Sequence, residues 1–330
     1  MRVDIEFNSA GDVPSPGILE AAQLAEEKGF GAVWKGESNS RDPVVLLAAI
    51  AARTRRLELG TAVYHIFART PVTLGYLAAT LNELSLGRFI LGLGCANATL
   101  AAWHGTQYDK PVGRMREYIE IVRKTYAGQK LDMQGKYYSA RGFKLSFPAP
   151  KEPLRVFMAA LGPQMTRLAG HIADGVLVNM ANPDQVAAIA ANVRAAAAEA
   201  GRDPAAIEVV VKVRCAINRD LAAARTALKS IATFYSLADG YKEMLADRMG
   251  LAREIQAINE TWKAKGFKEA TKQVTDEMLA RVPMIPAASS AAVKEGLKPY
   301  FAAGATRVIV PYVPSTAQPI EETLDFVRSW

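Results

Sequence analysis

The chain has 330 residues, half of them apolar and 22% charged, with Gly and Pro close to average usage; this excludes disordered, collagen-like and low-complexity classes. Forty Lys and Arg against 33 Asp and Glu give a formal charge of +7, but the basic residues are scattered rather than interleaved with aromatics, which argues against nucleic acid and for an acidic small ligand. Two cysteines 120 positions apart (Cys95, Cys215) and three dispersed histidines lack the spacing of a disulfide framework or a metal site.

The N-terminus, Met-Arg-Val-Asp-Ile-Glu-Phe, has no basic-then-apolar leader pattern, and no apolar run approaches the roughly 18–20 residues that span a bilayer. A cytoplasmic protein without membrane contact is the expectation. Residues 2–8 alternate as a first strand, and 16–28 carry Ile18, Ala21, Ala22 and Ala25 at helical spacing. A second strand over 31–35 precedes a helix over 43–53. A third strand over 57–64 precedes a helix over 71–84, and 88–94 is nearly all apolar, as a strand buried on both faces requires. A helix over 113–126 is followed by an irregular stretch, 131–147. Strands over 154–160, 175–179 and 207–217 alternate with helices over 164–171 and 183–200. A helix over 291–303, a last strand over 306–311 and a short helix from Pro319 complete the chain. Residues 221–286 read as helix after helix with no strand.

Eight strands joined by connections long enough for crossover helices predict a single (β/α)8 TIM barrel over 1–330, with a helical insertion between the seventh and eighth strands. A doubly wound open sheet is the alternative, because local pattern does not distinguish closure from openness.

In a barrel, chemistry gathers at the C-terminal ends of the strands. The second strand is followed by a polar cluster containing Glu37 and Ser38, where a ligand would be met. The third ends in Gly60-Thr61-Ala62-Val63, small enough for a flat ligand to approach the backbone. The fourth ends in Gly92-Leu93-Gly94-Cys95-Ala96-Asn97. This Gly-x-Gly is not a dinucleotide fingerprint: Asn97 stands where the third glycine would be, and three strands precede it. Gly162-Pro163-Gln164-Met165-Thr166 opens a helix after the fifth strand, and a helix start with Pro in its first turn is a ready anion site. Asn179 ends the sixth strand, and His104, after Trp103, is a candidate for a pocket wall. No Walker loop, nucleophile elbow or His-Glu-x-x-His is present. The missing acid–base and nucleophile sets point to a bound cofactor as the carrier of the chemistry.

Several segments, taken in order, resemble the luciferase-like flavin monooxygenase and deazaflavin-dependent reductase superfamily. They are Gly31-Ala-Val-Trp-Lys-Gly-Glu-Ser38, Leu59-Gly-Thr-Ala-Val63, Thr80-Leu-Asn-Glu-Leu-Ser-Leu-Gly-Arg-Phe-Ile-Leu-Gly-Leu-Gly94, residues 162–179 and Gly304-Ala-Thr306. The Leu-Ser-x-Gly-Arg-Phe and Gly-Pro-x-Met runs are most similar to the coenzyme F420 branch, especially methylenetetrahydromethanopterin reductase-like members. The resemblance implies a TIM barrel that binds coenzyme F420 (a 5-deazaflavin) or FMN, and an oxidoreductase moving a hydride between the deazaflavin and a small organic substrate.

It further implies a non-proline cis peptide at Ala62–Val63. Glu37 and Ser38 would be the catalytic residues, Glu37 as proton donor or hydrogen-bond partner; with Thr61, Ala62, Val63, Gly94 and Asn97 they would surround the ring, and Gly162, Pro163, Gln164, Met165 and Thr166 would lie at the phosphate. Asn179, Trp103, His104 and the insertion would lie toward the substrate. The positive charge would suit the coenzyme's phosphate and polyglutamate tail. Many relatives carry Asp-His where Glu37-Ser38 stand, and the sugar-phosphate dehydrogenase branch has a carboxylate near Asn97, so sugar-phosphate oxidation is disfavoured. The alternatives are an FMN-dependent monooxygenase using reduced flavin and O2, which would need a flavin reductase partner, and a non-catalytic flavin- or ligand-binding barrel. Relatives imply a homodimer or higher homo-oligomer.

Overall fold

Prolines and side-chain caps set the alternation of strand and helix. Among the described residues six helices begin on a proline: α2 (Pro43–Arg53), α3 (Pro71–Leu84), α4 (Pro111–Tyr126), α5 (Pro163–Ile172), α6 (Pro183–Glu199) and α8 (Pro319–Arg328). Proline at this position forfeits only an amide that has no helical partner, and its fixed φ suits the first turn. Asp42 accepts from the amides of Val44 and Val45, Thr70 from Thr73, and Asn182 with Gln185 forms a capping box. The remaining two crossover helices are α1 (Ser15–Glu27) and α7 (Ser290–Ala302).

The computed structural model describes residues 1–7 and 13–330; the expected end of the first strand at Asn8 lies outside them. Eight parallel strands form the barrel: β1 (Arg2–Glu6), β2 (Ala32–Lys35), β3 (Glu58–Thr61), β4 (Phe89–Gly94), β5 (Arg155–Ala159), β6 (Gly175–Asn179), β7 (Glu208–Lys212) and β8 (Arg307–Pro311). Each pairs with the next, and Arg307–Pro311 returns to pair with Arg2–Glu6. The ring is closed, so the open sheet is excluded.

Two expected strands are interrupted. The third breaks at the cis Ala62–Val63 bond and resumes as Tyr64–His65. The seventh leaves the barrel at Val213, and its continuation, Arg214–Ile217, pairs with a short strand, Met284–Ala287. That strand corrects the all-helical reading of 221–286: Met284-Ile-Pro-Ala carries no alternating pattern and is extended only because Arg214–Ile217 offers it a ladder. Residues 131–147, expected to be irregular, contain a hairpin of Asp132–Gln134 with Ser139–Arg141.

Helices Leu221–Leu237, Tyr241–Arg248, Ala252–Lys265, Phe267–Thr271 and Asp276–Arg281 build a second apolar core around Leu228, Leu245, Ile258 and Met278. It is continuous with Met180, after β6, and with Val313, after β8. The insertion therefore roofs the β6–β8 side of the barrel mouth. No described helix is long and apolar enough to cross a membrane.

Candidate functional site at the C-terminal mouth of the barrel

The barrel interior is filled in layers. Trp34, Ile90, Phe157, Leu177, Val210 and Ile309 fill its middle. Gly60 is obligatory there, because a Cβ would lie 2.1 Å from the Trp34 ring. Below, at the N-terminal end, Arg307 is fully buried with Nη1 3.2 Å from Asp4, Nη2 2.7 Å from Glu58 and Nε 3.0 Å from Glu208. Arg155 adds a second bond to Glu58 at 2.8 Å, and Trp34 Nε1 donates to Asp4 at 2.8 Å. Burial nonetheless pushes the Asp4 carboxyl up to about 6, against the pull of Arg307.

Above the apolar layer the mouth divides into two halves. On the β3–β5 side the floor is made of small groups: Ala62, Val63, Gly94 and Ala159. A Cβ on Gly94 would meet Val63 Cγ2 at 2.5 Å and Ala159 at 3.4 Å, and one on Gly92 would meet the Thr61 carbonyl at 1.8 Å. The two glycines let the strands and Val63 pack this closely, so that only small groups stand at these strand ends. The Thr61 hydroxyl is committed to this wall, donating to the Gly92 carbonyl and accepting from the Gly92 amide, both at 2.8 Å.

Glu37 borders that floor. Its amide donates to the Val63 carbonyl, and its carboxylate accepts from the His65 amide at 3.2 Å and Arg69 Nε at 3.3 Å. Burial holds the Glu37 carboxyl above its ordinary range despite Arg69 and that amide. His65 Nε2 lies 3.6 Å from Glu37 and the ring packs edge-on against His104 at 4.8 Å. Among the described residues neither His65 nitrogen has a hydrogen-bond partner. Burial, His104 and Arg69 push its pKa down to about 4, so the imidazole is neutral at pH 7. Arg69 also pairs with Asp42.

The other half, at β1, β6 and β7, is polar. Lys212 reaches across the barrel from β7, donating to Glu6 Oε1 at 2.8 Å and to the Ala62 carbonyl at 2.6 Å. Lys35 is buried, its pKa lowered by desolvation, and donates to Ser40 at 3.0 Å. Asn179 sits between the two rims. Its Nδ2 donates to the hydroxyls of Tyr241 (2.9 Å) and Tyr235 (3.3 Å), and its Oδ1 accepts from Arg214 at 2.9 Å.

The remaining expected site residues are more dispersed. Ser38 is exposed and its hydroxyl lies 3.2 Å from Ser40. Asn97 caps a short helix, Ala98–Trp103, through the Leu100 amide at 2.9 Å. Trp103 is exposed on that helix and His104 just after it. At Gly162–Thr166 the Thr166 hydroxyl turns back to the Gly162 carbonyl at 3.0 Å. Pro163 lacks an N–H, so the amides of Gln164 and Met165 are the helix-start donors left over. Arg167 instead pairs with Glu199 on the surface. Asp174 accepts from the Val156 amide and from Arg123 and Arg202, which ties the turn before β6 to its neighbours.

Sequence reasoning missed Glu6, Lys212, Arg214, Tyr235 and Tyr241. For Lys212 and Arg214 a signal existed: period-two alternation puts both on the same inward column as Val210. For the tyrosines there was none, since their placement depends on how the insertion folds. Among the described residues no His/Cys/Asp/Glu group is arranged to hold a metal. Burial raises the Cys95 thiol to about 12, so it is inert.

The family model for luciferase-like monooxygenases matches residues 7–307. A 5,10-methylenetetrahydromethanopterin reductase of Methanolobus tindarius is 33% identical over 285 residues, covering 84% of this chain and 85% of its own. One from Archaeoglobus fulgidus is 30% identical over 288 residues, covering 84% of each. Among solved structures, the coenzyme F420-dependent tetrahydromethanopterin reductase of Methanopyrus kandleri superposes with a TM-score of 0.84 at 22% identity, covering 100% of this chain and 98% of its own. The chain belongs to the luciferase-like monooxygenase family.

Proposed function

On the premise of that membership, we propose that this protein is a coenzyme F420-dependent oxidoreductase acting on a small organic substrate. The observation that carries the proposal is the division of the mouth: a flat floor of Ala62, Val63, Gly94 and Ala159 beside a polar wall of Glu6, Lys212 and Asn179. A planar ring fits a floor where even one Cβ at Gly94 would collide with Val63. Two reductases a third or slightly less identical over most of the chain carry the same weight toward the deazaflavin branch.

Bound there, the deazaflavin would give or take a hydride without activating oxygen. The residues assigned to hold it are Thr61, Ala62, Val63, Gly94 and Asn97 around the ring and Gly162, Pro163, Gln164, Met165 and Thr166 at the phosphate, where the free amides of Gln164 and Met165 serve an anion. Lys212 fixes the Ala62 carbonyl and so the height of the floor. Glu37, its carboxyl raised above the ordinary range by burial, is assigned as the proton donor or hydrogen-bond partner at the ring, with Arg69 and the His65 amide fixing its position. Ser38 is assigned beside Glu37 as a catalytic residue, Asn179, Trp103 and His104 belong to the rim facing the substrate, and the insertion packs over the opposite side. We also assign the whole chain to one barrel domain and expect a homo-oligomer.

Fluorescence titration of the purified protein with coenzyme F420 and, separately, with FMN tests the reading. A preference of tenfold or more for F420 (about 1.4 kcal/mol) is expected. Preference for FMN would overturn the deazaflavin assignment and redirect the search to oxygen uptake with reduced flavin; binding of neither would overturn the cofactor assignment altogether.

A further inference from the structure

Arg214 stands two residues beyond the end of β7, beneath the insertion, and is only 5% exposed. Its surroundings differ from those of the other deeply buried arginine. Arg307 is met by three carboxylates, whereas no carboxylate lies within ion-pair distance of Arg214 among the described residues. Its donors end on neutral acceptors: Nη1 on Asn179 Oδ1 (2.9 Å) and Met180 Sδ (3.7 Å), Nη2 on the Tyr235 hydroxyl (2.5 Å). The guanidinium also packs over the Tyr235 ring at 4.6 Å. A buried cation satisfied only by neutral groups retains its full charge in a region water does not reach freely, which is unfavourable until an anion arrives.

The neighbouring hydroxyls point the same way. Tyr235 accepts from both Arg214 and Asn179, and Tyr241 accepts from Asn179, yet neither phenol finds an acceptor for its own proton among the described residues. Burial keeps Tyr241 protonated, its pKa pushed up to about 12. Among the described residues the cluster therefore combines a guanidinium without a carboxylate partner, Arg214, with two phenols, Tyr235 and Tyr241, whose own protons have no acceptor. Asn179, Tyr235 and Tyr241 are half-buried, so the cluster borders the mouth.

We propose that this cluster binds a carboxylate of the substrate, which makes the substrate of the oxidoreductase reading an organic acid anchored on the β6–β7 side of the mouth. The word substrate rests on that reading; the anion site does not. One uncompensated cation matches one negative charge, since Lys212 is already committed to Glu6 and the Ala62 carbonyl. A carboxylate leaves the site neutral, whereas a phosphate dianion would leave an excess charge buried. The planar fork of the guanidinium suits carboxylate geometry, and the two phenols supply further donors to its oxygens.

The test is calorimetric titration of the protein, with and without coenzyme F420, using benzoate, benzamide and inorganic phosphate, in wild type, Arg214→Met and Tyr241→Phe. Benzoate is expected to bind wild type at least tenfold more tightly than benzamide, to lose tenfold or more in Arg214→Met and threefold in Tyr241→Phe, with F420 affinity changed less than twofold in either. Equal benzoate affinity in wild type and Arg214→Met, or phosphate preferred to benzoate, overturns the proposal. So does a tenfold loss of F420 affinity in Arg214→Met with benzoate binding intact, which would give the cluster to the cofactor. If Arg214→Met does not fold, Tyr241→Phe decides, and no change in its benzoate affinity overturns the proposal. Should wild type bind benzoate as expected but not F420, the carboxylate site stands and the cofactor reading falls.

Discussion

The two ends of this barrel each bury an arginine and treat it in opposite ways. At the N-terminal end Arg307 is enclosed by Asp4, Glu58 and Glu208, with Arg155 sharing Glu58. At the C-terminal end Arg214 meets an amide oxygen, a thioether and a phenol. Arg307 is held by carboxylates of three strands, although Asp4 Oδ1 and Arg307 Nε make no hydrogen bond among the described residues, whereas Arg214 has neutral partners alone. A cation met by carboxylates is already compensated, whereas one met by neutral groups alone carries a cost that an anionic ligand would relieve.

The largest effect that would break this comparison belongs to the closed end. Arg307→Met should destabilise the protein by about 3–5 kcal/mol in urea unfolding, because it strands buried carboxylates without their cation. A loss under about 1 kcal/mol would mean that the network is not what holds the strands.

Next comes His65, faced by Glu37, His104 and Arg69. Its folded pKa of about 4 lies below the ordinary histidine value. The stability associated with the neutral ring is thus present above about pH 6.5 and lost as pH falls through 4. Between pH 7 and pH 4, His65→Asn should lose roughly 2–3 kcal/mol less stability than wild type; identical urea midpoints at both pH values in the two proteins would refute the assignment.

At the flat half of the mouth, Gly94→Ala should weaken F420 binding by tenfold or more, about 1.4 kcal/mol. Its melting temperature should fall by only a few degrees, because the new methyl displaces Val63 at the rim rather than the apolar layer beneath. The smallest expected effect sharpens the contrast most. Arg214→Met, at the open end, should leave stability unchanged or raise it by about 1 kcal/mol in the ligand-free protein, since it removes a charge that has no counterion.

Most of the scaffold was legible in the sequence because barrel strands and crossover helices declare themselves locally. Phe89-Ile-Leu-Gly-Leu-Gly94 is apolar on both faces because both faces are covered, and Pro43, Pro71, Pro163 and Pro183 mark helix starts with no tertiary information. Thr61 through Val63 could be placed at a strand end, but the interruption of that strand depends on the cis bond that the resemblance implied. Met284–Ala287 was hidden because its extended form is imposed by a partner 70 residues away in sequence.

The polar half of the site was the least legible. Glu6 looks like an ordinary surface charge near a strand end, and alternation puts Lys212 and Arg214 on an inward column without saying what they meet. Only barrel closure, which turns the inward column of β7 toward β1 and β3, reveals that Lys212 and Glu6 meet. Glu37 was found from its loop, but its buried partner His65, one residue past the expected third strand, was read only as one of three dispersed histidines.

The central claim is that the flat half of the C-terminal mouth receives the coenzyme. Hydrogen–deuterium exchange with and without saturating F420 tests it most directly. Protection should concentrate at residues 36–42, 60–66, 94–97 and 162–166, with the N-terminal strand ends around Arg307 and Glu58 unchanged. Protection centred instead on the groove of about 710 Å³ lined by Asn218, Tyr312, Glu321, Asp325 and Ser329, with none at 60–66 and 94–97, would contradict it.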